Sequence, residues 1–162
     1  QRRDRTMILV LYGCGLRTHE LCALNVQHLC IERREINVLT AKGDKPRTVP
    51  VPDAVFTELL AYLHERGGKR GPLFKTYIKK TRVRHQNVGN AVRQAALRAG
   101  LSADITAKTL RHSFATHLMD RGVDLGIIAS LMGHRSPQET GVYLHVLPSR
   151  KERAVTLLET GA

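Results

Sequence analysis

Tryptophan is absent from this chain, and phenylalanine and tyrosine together make up only 4% of it. A core here must be filled by leucine, valine, isoleucine and alanine. A binder that stacks successive bases of a single strand on aromatic rings is excluded by the same shortage. Acidic residues are also few, with 14 Asp and Glu against 26 Lys and Arg and a net charge of +12. That excess goes well beyond what solubility requires and points to a polyanionic partner. No cluster of acids suited to a metal-dependent nuclease is visible. The three cysteines, Cys14, Cys22 and Cys30, lack the paired short spacing of a structural zinc site, and their odd number fits a reducing compartment. Long hydrophobic runs are missing. The longest near the start, residues 7–12, is far too short to span a bilayer, and no signal peptide is visible, so a cytoplasmic, nucleoid-associated protein is expected.

What is present is an apolar fraction of 42% over 162 residues, enough for one domain with a real core. The basic charge is unevenly spread, since residues 66–98 carry ten lysines and arginines and no acid. A solvated face is the plain explanation; contact with a phosphate backbone is the better one.

Periodicity predicts a mostly helical layout with one small antiparallel sheet. A helix is expected over residues 5–12, interrupted by Gly13 and Gly15. Thr18 is the expected cap of a second helix, with Leu21, Leu24 and Val26 turned inward. Residues 35–39 and 47–51 alternate as two strands around a turn at 41–45, and Pro52 ends the second. Asp53 is the expected cap of a helix through His64, with Val55, Leu59, Leu60 and Leu63 on its apolar side. Gly67, Gly68, Gly71 and Pro72 form a linker, Leu73 and Phe74 a buried anchor, and residues 75–85 an exposed basic loop. Helices follow over 88–99, 110–121 and 125–132, closed by Gly100, Gly122 and Gly133, with a loop at 104–109. Short helices are expected at 137–143 and 150–158, the latter with Val155 and Leu158 exposed unless a partner covers them.

The chemistry-bearing residues are concentrated in the run KTLRHSFATHLMDRGVDLGIIASLMGHRSPQETGVYLHV, residues 108–146. Arg111 and His112 open one helix, His134 follows another, and Tyr143 stands nine residues further on. Upstream, GCGLRTHEL supplies Arg17 and AKGDKPRTVP supplies Lys42. A phosphodiester under attack needs cationic donors on its non-bridging oxygens, and the planar fork of arginine provides two charge-assisted bonds at once. Taken singly, Arg17 or Arg111 would be an ordinary surface or capping arginine; together with the histidines and Tyr143 they form a set. Glu20, one helical turn from Arg17, is placed to orient it or the neighbouring helix.

These boxes resemble the catalytic domain of the tyrosine recombinases, the phage integrase family, over residues 5–158. The resemblance implies that family's α+β fold and its chemistry. Tyr143 would attack a phosphate of duplex DNA, forming a 3′-phosphotyrosyl bond and releasing a 5′-hydroxyl, with neither metal nor nucleotide cofactor. Arg17 and Arg111 would hold the phosphate, with His134 also binding it. His112 would serve proton transfer, and Lys42, on a β-hairpin, would protonate the departing oxygen. Lys45 and Arg47 are nearby alternatives to Lys42. They join Lys75, Lys79, Lys80, Arg82, Arg84 and Arg135 as candidate DNA contacts. His117 and His145 are taken as packing or local contacts, and neither makes a metal set with His134.

Two positions depart from the family pattern. Lys108 stands where a histidine is usual, three residues before Arg111; it keeps positive charge but loses the acid–base range of imidazole, and is still expected in the active site. Thr140-Gly141 replaces paired threonines, and Gly141 loosens the segment before Tyr143. The expected function is site-specific strand exchange: integration, excision or dimer resolution. The alternatives are a DNA-binding module with degenerate chemistry and a relaxing topoisomerase of related chemistry. The domain is expected to be a monomer alone and a homotetramer on DNA, with residues 148–162 docking on a neighbour. The DNA-clasping domain that precedes this one in the family is expected to be missing from the sequence.

Overall fold

The computed structural model describes residues 2–39 and 46–134. In chain order the elements are α1 (Arg2–Gly13), α2 (Thr18–Ala23), a 3-10 turn (Val26–His28), β1 (Leu29–Cys30), β2 (Glu35–Val38), β3 (Arg47–Pro50), α3 (Asp53–Arg66), α4 (His85–Arg98), α5 (Ala107–Asp120) and α6 (Leu125–Met132). The three strands form one antiparallel sheet in the order β1-β2-β3, with Ile36 opposite both Leu29 and Val49. Helices with one small antiparallel sheet are what the periodicity predicts.

Helix α1 is the central post. Met7, Val10 and Leu11 are fully buried, and α1 packs against α3, α4 and α5. Its one buried polar side chain, Thr6, satisfies its hydroxyl by donating to the Arg2 carbonyl at 2.9 Å. The main core joins α1 to the inward strand residues Ile36, Val38 and Val49, to Val55 and Leu59 of α3, and to Val88 and Val92 of α4. A second cluster, Phe114, Ala115, Met119, Ile128 and Met132, holds α5 to α6. The few aromatics are used sparingly. Tyr62 stacks on Phe74 with ring centroids 5.3 Å apart and donates to the Leu73 carbonyl, which pins the glycine-rich linker's far end to α3.

Some local expectations need correction. Thr18 is the first residue of α2 rather than its cap; Arg17 is the N-cap, and its backbone N–H donates to the Glu20 carboxylate at 2.8 Å. Pro52, not Asp53, precedes α3, which runs to Arg66. On that helix Tyr62 is buried, whereas Leu60 is 39% exposed. Helix α5 begins at Ala107, inside the expected loop, because Thr106 and Thr109 bond reciprocally, side chain to backbone, at its first turn. Strand β1 is two residues long and carries too little alternation to be seen in the sequence. The turn at 41–45 and the helices expected at 137–143 and 150–158 lie outside the described residues.

Candidate active site

The early start of α5 decides the geometry of the site. Lys108, Arg111 and His112 then occupy positions i, i+3 and i+4 of one helix, which share a face. Opposite them stands Arg17 at the start of α2. Between the two helices lies an open hollow of about 430 Å³, lined by Arg17, Thr18, His19, His85, Ala107, Lys108, Arg111 and His112. Arg17 and Arg111 are far apart in sequence yet share its wall.

The close approach of α5 to the α1–α2 turn depends on Gly15. Its φ is +60°, and a Cβ there would stand 2.5 Å from Phe114 Cδ1. Both the backbone conformation and the ring overhead require glycine. The carbonyl of the same residue accepts from Arg111 Nη1 at 2.6 Å, so the turn that seats Phe114 also positions Arg111.

Behind the hollow lies Glu20, whose side chain is fully buried. Arg47 Nη1 and Nη2 grip its two oxygens at 2.7 and 2.9 Å, a fork-to-carboxylate pair. Arg17 Nη1 lies 3.4 Å from Oε1, and Arg111 Nη1 lies 3.9 Å from Oε2. Burial alone would push this carboxyl up. The Arg47 hydrogen bonds, the Arg17 amide and the charges of Arg47 and Arg111 outweigh it and hold the group below the usual carboxylate range.

The same three arginines meet the end of α6. Arg47 Nε donates to the Leu131 carbonyl at 2.7 Å, Arg111 Nη2 to the Met132 carbonyl at 2.7 Å, and Arg17 Nη1 to the Gly133 carbonyl at 3.5 Å. Three consecutive carbonyls at a helix C-terminus, which lack intrahelical donors and carry the negative end of the dipole, are thus each taken by a cation. Gly133 turns the chain with φ +63° and ψ 42°, and the His134 amide returns to the Ala129 carbonyl at 3.0 Å. The closing turn therefore sets His134 directly after the residues that the arginines hold.

Expected site residues fall into four groups. Arg17, Lys108, Arg111 and His112 line one hollow, and His134 follows the α6 end to which Arg17 and Arg111 are bonded. Lys42, Lys45, Arg135 and Tyr143 lie outside the described residues. Arg47 and Arg82, expected on the surface, are drawn inward. The Arg47 side chain is 8% exposed, and Arg82 spends its fork on the carbonyls of Cys22 and Leu24 and on Asn25 Oδ1. Lys79, Lys80 and Arg84 are exposed and Lys75 is half-buried. The 75–82 loop is folded back on itself by Thr76–Thr81 bonds and braced by the Arg3 guanidinium 3.5 Å over the Tyr77 ring. Arg84 and Lys79 open onto a hollow of about 480 Å³, and His85, the next residue, opens onto the arginine hollow. A basic face thus continues from one to the other.

Two hollow-lining histidines, His19 and His85, were missed. His19 sits inside the GLRTHEL box; His85 has no local pattern to mark it. The inward turn of Arg47 could have been found, because strand alternation puts it on the same face as buried Val49. His117, expected as a packing or surface residue, is exposed and packs across to α1, with Nδ1 2.8 Å from the Tyr12 hydroxyl. No group of three or more potential metal ligands occurs among the described residues, and none of their helices is long and apolar enough to cross a membrane.

The sequence model of the phage integrase family matches residues 1–150. The chain belongs to the phage integrase family. It is 37% identical over 155 residues to the tyrosine recombinase XerA of Pyrococcus furiosus, an alignment covering 94% of this chain and 54% of that protein. The crystal structure of a XerA recombinase superposes with a TM-score of 0.80 at 26% identity, covering 99% of this chain and 64% of that one. A XerH site-specific recombinase bound to a palindromic difH substrate, in a post-cleavage complex, gives 0.77 at 27% identity, covering 98% and 46%. The chain spans about half the length of the curated relatives it matches. Its α+β architecture is that of the tyrosine recombinase catalytic domains.

Proposed function

We propose that this chain is the catalytic domain of a site-specific tyrosine recombinase that cuts and rejoins duplex DNA. The observation that carries the proposal is the convergence of Arg17 and Arg111 on the wall of one hollow, backed by a shared buried carboxylate and joined by Lys108 and His112. Such a hollow suits a single phosphodiester. Two guanidinium groups and a lysine supply the positive charge that the developing phosphorane needs, and both guanidinium groups are held by bonds to carbonyls before the DNA arrives. Membership in the family and the likeness to a recombinase in complex with its DNA substrate support the same reading.

In the proposed reaction the Tyr143 hydroxyl oxygen attacks the scissile phosphorus and loses its proton to His112. The bond between phosphorus and the 5′ oxygen breaks, and Lys42 protonates that oxygen. A 3′-phosphotyrosyl ester and a 5′-hydroxyl result, and attack by a partner strand's 5′-hydroxyl reverses the step. The ester retains the free energy of the broken bond, so rejoining needs no external energy source. Lys108 adds charge at the phosphate without taking on the role of an imidazole. Lys75, Lys79, Lys80 and Arg84 are assigned to the backbone flanking the cut, and residues 148–162 to docking between subunits of a tetramer on DNA.

The test uses a duplex carrying the recombination site with a nick close to the cleavage position, so that the short 5′-hydroxyl fragment diffuses away. The expected result is a protein–DNA adduct on a denaturing gel that resists EDTA and disappears with Tyr143→Phe. Binding to a verified site without any adduct would instead mark a DNA-binding module.

A further inference from the structure

Among the described residues, three arginines surround Glu20, and two of them reach the hollow. Arg17 and Arg111 line it, whereas Arg47 lies behind, its side chain 8% exposed. Arg47 also makes the best bonds to the carboxylate. It takes both oxygens at 2.7 and 2.9 Å, while Arg17 and Arg111 stand off at 3.4 and 3.9 Å. A carboxylate gripped by one planar fork has its strongest acceptor directions occupied. The other two arginines spend their shorter bonds elsewhere: Arg111 donates to the Gly15 and Met132 carbonyls at 2.6 and 2.7 Å, and Arg17 reaches Glu20 Oε1 and the Gly133 carbonyl at 3.4 and 3.5 Å.

We propose that Arg47 is a positioning residue for strand cleavage: by occupying Glu20 it keeps that carboxylate from drawing the Arg17 and Arg111 forks off the phosphate hollow. The inference rests on the cleavage function proposed above. Arg47 holds a second fixed point, since its Nε donates to the Leu131 carbonyl at 2.7 Å and ties β3 to the end of α6. Gly133 is shaped around it: a Cβ there would stand 2.7 Å from Arg47 Nη1 and 3.0 Å from Cζ. One side chain therefore touches Glu20, the first carbonyl of the α6 row and the turn that leads into His134.

Removing Arg47 leaves Glu20 buried and short of its main partner, a costly state that the nearest cations would relieve. Arg17 and Arg111 are those cations. Drawn in by about 1 Å, they would lose their alignment with the phosphate, and a misplacement of that size can cost on the order of 100-fold in rate. Removing the carboxylate charge as well should undo part of the loss, because the force pulling the arginines inward is gone. A role confined to DNA binding predicts no such recovery.

The experiment measures single-turnover cleavage of the nicked duplex at saturating DNA with the full-length protein, comparing wild type with R47M, R47K and E20Q/R47M, alongside melting temperature and DNA affinity. R47M is expected to bind DNA within about threefold of wild type and to cleave about 100-fold more slowly. E20Q/R47M should recover about tenfold of that loss, and R47K, with charge but no fork, should fall between R47M and wild type. Should R47M fail to fold, R47K carries the comparison. A folded R47M or R47K cleaving at the wild-type rate would overturn the inference, as would a double variant no faster than R47M. A wild-type protein silent on a verified site would instead sink the cleavage function itself, and is recognised by all four proteins being equally inactive.

Discussion

Replacing Glu20 by glutamine keeps the shape of the side chain and removes one charge from the centre of the site. Its carboxylate is fully buried and faces the guanidinium groups of Arg17, Arg47 and Arg111. Breaking a buried ion pair by removing one partner costs about 3–5 kcal/mol, because the remaining charge is left uncompensated. Glutamine retains one carbonyl acceptor for Arg47, and the Leu131 carbonyl still takes Nε, so the lower end, about 3 kcal/mol, is expected. For a domain of this size that corresponds to a fall of about 6–12 °C in melting temperature at pH 7. The pH dependence has a definite sign. The folded-state pKa of Glu20 lies below its ordinary value, because the Arg47 hydrogen bonds and the neighbouring charges outweigh its burial. Its stabilisation is therefore complete above the unfolded value and is lost as pH falls through the folded one. Melting followed by circular dichroism from pH 7 downward should show a large gap between wild type and E20Q that narrows as pH falls below the ordinary carboxylate range. A gap under about 2 °C at pH 7, or one unchanged in acid, would refute the assignment of Glu20 as the buried counter-charge.

Gly15→Ala places a methyl against the Phe114 ring at a positive φ; about 1–2 kcal/mol for the backbone and about 1–3 for overpacking should lower the melting temperature by about 4–20 °C. Adding Phe114→Leu should recover the packing part only. Burial pushes the Cys14 thiol up to about 12 and raises that of Cys22, so a thiol reagent at pH 8 should label half-buried Cys30 first and leave Cys14 untouched in the folded protein. Replacing exposed Lys79 and Lys80 together by alanine should lower the slope of log affinity against log salt by about 2, with the cleavage rate at saturating DNA unchanged.

Much of this was legible in the sequence because the relevant signals are local. The helix over 125–132 ends where Gly133 predicts, and the apolar spacing of α1 and α5 marks their buried faces. Arg17, Lys108, Arg111 and His112 could be chosen by their motifs, and the fold brings them to one hollow. What escaped was set by distance or by competition between rules. Thr106 and Thr109 extend α5 backward through paired side-chain bonds that a loop-like composition hides. A count of positive charge sends every arginine outward, yet Arg47 is turned inward by a buried carboxylate and Arg82 by the carbonyls of Cys22 and Leu24. His85 joins Arg17 only through the packing of α4 beside α2, which no spacing along the chain records. The row of α6 carbonyls taken by three arginines is of the same kind: each bond joins distant segments, and none leaves a local trace.

The central claim is that Tyr143 becomes covalently joined to the 3′ phosphate at the cut. The most direct measurement is to trap the adduct on the nicked duplex, digest it with a protease, and identify by mass spectrometry the peptide that carries the nucleotide. The account predicts Tyr143 linked to a 3′-phosphate, with a free 5′-hydroxyl on the released strand that polynucleotide kinase can label. DNA found on another residue, or joined through a 5′-phosphate, would contradict it.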